Sequence, residues 1–198
     1  AFRCQSCHGV DGNGAGLVSQ HLNPRPRDYR RGIFKFTSTP YGVRPRPLDL
    51  IQTIRRGVIG TSMPSFSELP PADLAAVAEY VIYLAQRGEL EQELSQLAQD
   101  EESLDPEFVE ESIATVLERW AEAQSQLVMP LTPMPQMTSE TIARGAELYQ
   151  QQACSKCHGV DGRGGLAGGI EIGKDAWGHP AAAADLTSGM FRGGGRPI

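Results

Sequence analysis

No cysteine in this chain lies outside two short, nearly identical stretches, and that scarcity narrows the chemistry at once. The four cysteines among 198 residues sit at positions 4, 7, 154 and 157. None is left for a disulfide framework or for a lone thiol nucleophile. Long apolar runs are missing too. The longest, LAAVAEYVIYLA at 74–85, holds a glutamate and falls short of the roughly 20 residues that span a bilayer as a helix. No secretory leader is visible in a sequence that opens on AFRCQSCH, and an anchor or targeting segment upstream of residue 1 is left open. Aromatics make up only 7%, while Gly (22) and Pro (14) are plentiful. That balance favours small helical units joined by structured loops over large sheets.

Basic side chains are nearly absent from residues 89–129, which carry one against 12 acidic ones. Residues 1–88 carry 11 basic and 6 acidic side chains, and residues 130–198 carry six of each. The net charge of −6 disfavours nucleic acid as a partner. Within the first segment, Arg25 to Arg56 holds nine Arg or Lys against two Asp. Three uses compete for this tract: a docking face for an acidic redox partner, neutralisation of acidic groups on a cofactor, or pairing with the acidic 89–129 segment.

What is present is a repeat. CQSCHGVDGNG at 4–14 and CSKCHGVDGRG at 154–164 agree at eight of eleven positions. A second correspondence follows, DYRRGIF at 28–34 and DLTSGMF at 185–191, with Asp, Gly and Phe in register. His8 to Asp28 is 20 residues and His158 to Asp185 is 27, so the second copy carries one extra short loop, AGGIEIGKDAWG.

Hydrophobic periodicity supplies the rest. LDLIQTIRRG (48–57) reads as a short amphipathic helix closed by Gly57. PADLAAVAEYVIYLAQRG places Leu74, Val77, Val81 and Leu84 on one helical face, with Pro71 in the first turn and Gly88 as the C-terminal cap. DPEFVEESIATVLERWAEAQSQL has Asp105 as N-cap, Pro106 at the first helical position and an apolar stripe through Trp120. MPLTPMPQM (129–137) is an extended linker, and SETIARGAELYQQQA (139–153) is another amphipathic helix.

Two cysteines three apart can bind zinc, run thiol redox chemistry or carry haem. The adjacent histidine selects haem: the thiols form thioethers and the next residue ligates iron. Zinc sites place their histidines several residues away, and the βαβ surroundings of a thioredoxin motif are not apparent.

With CQSCHG, CSKCHG, ETIARGAELY, GTSMPSF and DLAAVAEYVIYLA on the page, the chain resembles a dihaem cytochrome c made of two class I cytochrome c domains. The expected fold is all-α. Residues 1–88 form a first cytochrome c domain that lacks its leading helix, 89–138 an acidic helical insertion and Pro-rich linker, and 139–198 a second domain that lacks its distal-ligand loop. The resemblance implies two covalently attached haem c groups. Cys4 and Cys7 hold the first, with His8 as proximal and Met63 as distal ligand. Cys154, Cys157 and His158 serve the second. A soft thioether in a loop bounded by Gly60 and Pro64 suits Met63 for ligation on chemical grounds as well, with His21 as its competitor. The family's proline carbonyl to the proximal imidazole falls on Pro24, with Pro26 one step away, and on Pro180 in the second copy.

No methionine of the second unit aligns with Met63; Met190 falls in register with Ile33 and reads as packing. A distal methionine beyond Ile198 is the expectation, with His179, Met190 or an open site as alternatives.

The function implied is one-electron transfer, as a carrier or as a relay subunit of a respiratory or other redox complex, and not as an enzyme in its own right. The rival is a catalytic dihaem enzyme of peroxidase or sulfur-compound type with one open or unusual haem. A non-haem metal-binding or scaffold protein is a third class. Expected partners are redox proteins or a membrane-associated redox complex. The family's outer-side haem attachment implies a periplasmic or other extracytoplasmic location, with membrane association through another segment or a partner left open.

Overall fold

The computed structural model of the chain describes residues 2–100, 104–165, 170, 172–175 and 178–194, and these are helical with no strand among them. They divide into two units, one running to Met129 and one starting at Pro130.

The first unit is organised by α1 (Phe2–His8), α2 (Pro47–Arg56), α3 (Pro71–Asp100) and α4 (Pro106–Glu122). Pro47 opens α2 where its missing N–H costs nothing, and the Arg46 N–H donates to Asp49 Oδ2 at 3.0 Å. Gly57, at φ +71°, closes it with its N–H 2.8 Å from Thr53 O. In α4, Asp105 accepts from Glu107 N at 2.9 Å ahead of Pro106, the cap expected from the sequence.

α3 departs from the sequence reading at Gly88. It runs on through Gly88 for 30 residues, about 45 Å at 1.5 Å per residue. Gly88 is therefore no cap but a point of close approach. A Cβ there would lie 2.2 Å from Arg30 Cβ and 2.4 Å from Arg30 Cα, so the 28–34 turn presses on the helix where only hydrogen fits. The helix-forming run after it, ELEQELSQLAQ, overrides the stop signal that Gly88 resembles.

α3 crosses 88/89 without a break, and the first unit runs on to Met129. α4 feeds Val116 and Trp120 into a buried cluster with Leu50 of α2 and Ala78, Ile82 and Ala85 of α3, flanked by Phe34, Ile51, Ile54, Val81 and Leu90. Glu89, 4% exposed, is held beside this cluster by Arg44, which donates from Nε to Oε1 at 2.9 Å and from Nη2 to Oε2. Trp120 Nε1 donates to the same carboxylate at 3.0 Å, and Arg119 lies 3.7 Å from it while pairing with Glu93 at 2.6 Å. The basic tract thus meets the acidic segment at Arg44.

The second unit contains α5 (Ser139–Gln151), the single turn α6 (Ser155–His158) and a loop ending in a 3₁₀ turn at Leu186–Ser188. Thr138 caps α5 reciprocally with Thr141, and Tyr149 donates from its hydroxyl to Gly159 O at 2.7 Å.

Ala at position 88 raises intrinsic helix propensity by about 1 kcal/mol. It also drives a methyl into unyielding backbone, an overpacking cost of about 1–3 kcal/mol. Gly88→Ala is therefore expected to lower stability in chemical denaturation, and an unchanged or higher midpoint would contradict the close approach.

Candidate haem-binding sites

Spacing on one helical turn puts the attachment chemistry together. Cys4, Cys7 and His8 lie at i, i+3 and i+4 of α1, on one face. In the second unit Cys154 immediately precedes α6, which carries Cys157 and His158. The chain then folds back over the helix end in the same way twice. Gly14 N donates to His8 O at 2.9 Å, and Gly164 N to His158 O at 2.9 Å, satisfying carbonyls that the helix leaves free.

The downstream segment crosses this loop at the same point in both units. Tyr29 N donates to Gly12 O at 2.7 Å, and Leu186 N to Gly162 O at 2.8 Å. Asp28 and Asp185 cap the turns that follow, accepting from Arg30 N and Thr187 N. Gly14 (φ +73°) and Gly164 (φ +80°) are what let the two strands of chain meet. A Cβ on Gly14 would stand 2.6 Å from Pro26 O and 3.1 Å from Arg27 C; one on Gly164 would stand 2.5 Å from Ala183 O and 3.0 Å from Ala184 C.

This crossing brings a backbone carbonyl to each imidazole, though not the one expected. His158 Nδ1 lies 2.9 Å from Ala184 O, not at Pro180. In the first unit the carbonyl acting on His8 belongs to Arg27, the register equivalent of Ala184, and not to Pro24, which is exposed. Burial pushes the His8 pKa below its ordinary value, and the Arg27 carbonyl opposes this only in part. The carbonyl does not reach bonding geometry, so His8 Nδ1 is buried without a hydrogen-bond partner. The ring is instead stacked on Tyr29, centroids 4.7 Å apart and planes 20° apart.

Met63 sits in a loop fixed on the end of α2. Val58 N donates to Met63 O at 3.1 Å, Met63 N to Thr61 Oγ1 at 3.1 Å, and Ser65 Oγ to Arg55 O at 2.8 Å. Its side chain is half-buried. Among the competitors, His21 is exposed at the end of a 3₁₀ turn whose first residue, Ser19, is buried. His179 is exposed and tied through its N–H to Asp175 Oδ1 at 2.9 Å, and Met190 is 50% exposed.

The residues fit a covalently held haem on three counts. Each copy presents two unbridged thiols and an imidazole from one short segment. The His8 ring is desolvated, which favours the neutral form that ligates iron. Arg46 and Arg56 bury their Nε atoms with no protein partner, a disposition that suits the carboxylates of a haem. Among the described residues no three His, Cys, Asp or Glu converge as a bare metal ion would need.

Comparison with known proteins places both copies. Residues 1–81 match the family model described as cytochrome c oxidase, cbb3-type, subunit III, and residues 142–193 match the model described as cytochrome c. A solved chain titled as belonging to the Kuenenia stuttgartiensis reducing HAO-like protein complex is similar throughout. It has 28% identity and a TM-score of 0.70, covering 98% of this chain and 73% of that one. No curated protein sequence matches the chain. The chain is a dihaem cytochrome c with two cytochrome c domains, and two covalently bound c-type haems follow from them. Such domains carry an electron-transfer haem function.

Sequence reasoning missed the carbonyls of Arg27 and Ala184, and the signal was available: both stand immediately before the Asp of the shared D-x-x-x-G-x-F. It also missed Glu89 and Tyr29, whose roles depend on partners distant in sequence.

If Gly14 and Gly164 are required by the crossing, Gly14→Ala and Gly164→Ala should each lose about 1–3 kcal/mol of stability. Arg163→Ala, one residue away and exposed, should change it by less than about 0.5 kcal/mol. Equal effects at 163 and 164 in thermal unfolding would remove the special status of the glycine.

Proposed function

We propose that the chain relays single electrons as a component of a multi-protein redox complex. The observation that carries this is the geometric repetition of the attachment loop, its crossing glycine and its carbonyl in both units. Support for membership of a complex comes from the similar chain of the HAO-like complex, whose match extends over nearly all of this chain.

In this reading Cys4 and Cys7 would hold the first haem covalently, and His8 and Met63 would supply its iron with an imidazole and a thioether. Cys154, Cys157 and His158 hold the second. When bound, the haems supply one-electron chemistry at iron. The protein's part is to fix ligands and exclude water. The folded 57–66 loop holds the Met63 backbone in place, and a thioether ligand favours the reduced state and raises the potential. Arg46 and Arg56 would receive the propionates, which leaves only part of the basic tract for docking, since Arg44 and Arg30 already pair with Glu89 and Asp28. An extracytoplasmic location, and docking on redox proteins or a membrane-associated complex, complete the reading. No helix of the described residues is long and apolar enough to cross a membrane.

The rival, a catalytic haem in the second unit, rests on the exposure of Met190 and His179, neither of which is built into a core. Carbon monoxide separates the two. The reduced native protein is expected to bind it slowly or not at all, and rapid binding at one haem would favour the enzyme. Met63→Ala should open the first haem to carbon monoxide and lower its midpoint potential in a redox titration. If neither changes, Met63 is not the ligand.

A further inference from the structure

The first unit links its proximal histidine to the acidic helix through a series of rings. His8 stacks on Tyr29; Tyr29 lies parallel to Phe34 at 5.9 Å and 12°; Phe34 meets Trp120 edge-on at 6.3 Å and 81°. The far end is rigid. Trp120 is 4% exposed, lies in the buried cluster and is oriented by its Nε1 bond to Glu89, which Arg44 pins in turn.

The second unit has no such series among its described residues. Leu186 stands where Tyr29 does, and Phe191, the counterpart of Phe34, is 46% exposed. There the imidazole is fixed by its bond to Ala184 O, whereas His8 Nδ1 has no such bond. Where no hydrogen bond fixes Nδ1, packing on the ring face is what orients an imidazole.

We propose that Trp120 is a positioning residue for the first haem: through Phe34 and Tyr29 it sets the rotational orientation of the His8 ring. The helix that carries it, α4, thereby acts on a haem ligand that it does not touch. Ring orientation and Nδ1 bonding both act on the iron's electronic state. The His8 ring is held by stacking on Tyr29, and the His158 ring by the bond of its Nδ1 to Ala184 O. The inference rests on His8 and His158 being the proximal ligands.

The test uses the holoprotein, with ferric electron paramagnetic resonance and haem-methyl proton shifts read for each haem. Trp120→Leu and Phe34→Leu are expected to displace the signals of the first haem and leave those of the second in place, and Trp120→Phe to restore them in part. Val116→Ala is the control. It removes bulk from the same cluster at 2% exposure while leaving every ring of the series in place. The inference is overturned if Val116→Ala moves the first haem's signals as much as Phe34→Leu, or if both ring variants keep two covalent haems with unchanged spectra. If Trp120→Leu fails to fold, Phe34→Leu and Trp120→Phe decide. A native protein with no low-spin haem at either CxxCH would instead overturn the ligand assignment on which the inference stands.

Discussion

The constraint on which both units depend is the close passage of two backbone segments at one glycine. A carbonyl 19 residues after His8 and 26 after His158 is brought toward the imidazole by a segment that crosses the loop following the histidine. At Gly14 and Gly164 the approach leaves no room for a side chain. The repeated GVDG-x-G is the sequence form of that requirement. Its positive-φ glycines turn the loop back over the helix end, and its last glycine admits the crossing segment. The aspartates at 28 and 185 then cap a short turn just beyond the crossing, which keeps the carbonyl in place. The second unit accommodates seven more residues between these fixed points because loop length costs little once the ends are held.

The acidic segment joins the first unit for a different physical reason. α4 packs Val116 and Trp120 into the cluster formed with Ala78, Ile82 and Ala85 of the first half of α3, with Leu90 at its edge. Glu89 settles where α4 sits. A buried carboxylate is costly unless its oxygens are matched, and here Arg44 and the indole N–H match them. Trp120 can take its place only where its Nε1 reaches Glu89. The ion pair is thus weak evidence for stability and better evidence for register, with the apolar cluster contributing most of the free energy.

Local patterns were legible in the sequence, and long-range partners were not. The helices, the Asp105 cap, the Gly57 stop and the two attachment loops each follow from residues within a turn or two of one another. Gly88 was misread because a glycine before a charged run looks like a cap, and what makes it otherwise is Arg30, fifty-eight positions away. The carbonyl partner was misplaced for a related reason. Prolines 24, 26 and 180 drew attention because of their residue type, yet a carbonyl acceptor needs no particular side chain, and only backbone position relative to Asp28 and Asp185 identifies it. Arg44 and Glu89 were expected only in the general sense that a basic tract might face an acidic one.

Two haem domains of common design need not have equal potentials, and this chain contains the means to separate them. Hydrogen bonding at Nδ1 gives an imidazole more negative character and stabilises the oxidised iron. His158 has that bond, whereas His8 has a stacked ring and a desolvated Nδ1. Under the proposed ligation by His8 and His158, these contacts give the two haems different proximal surroundings.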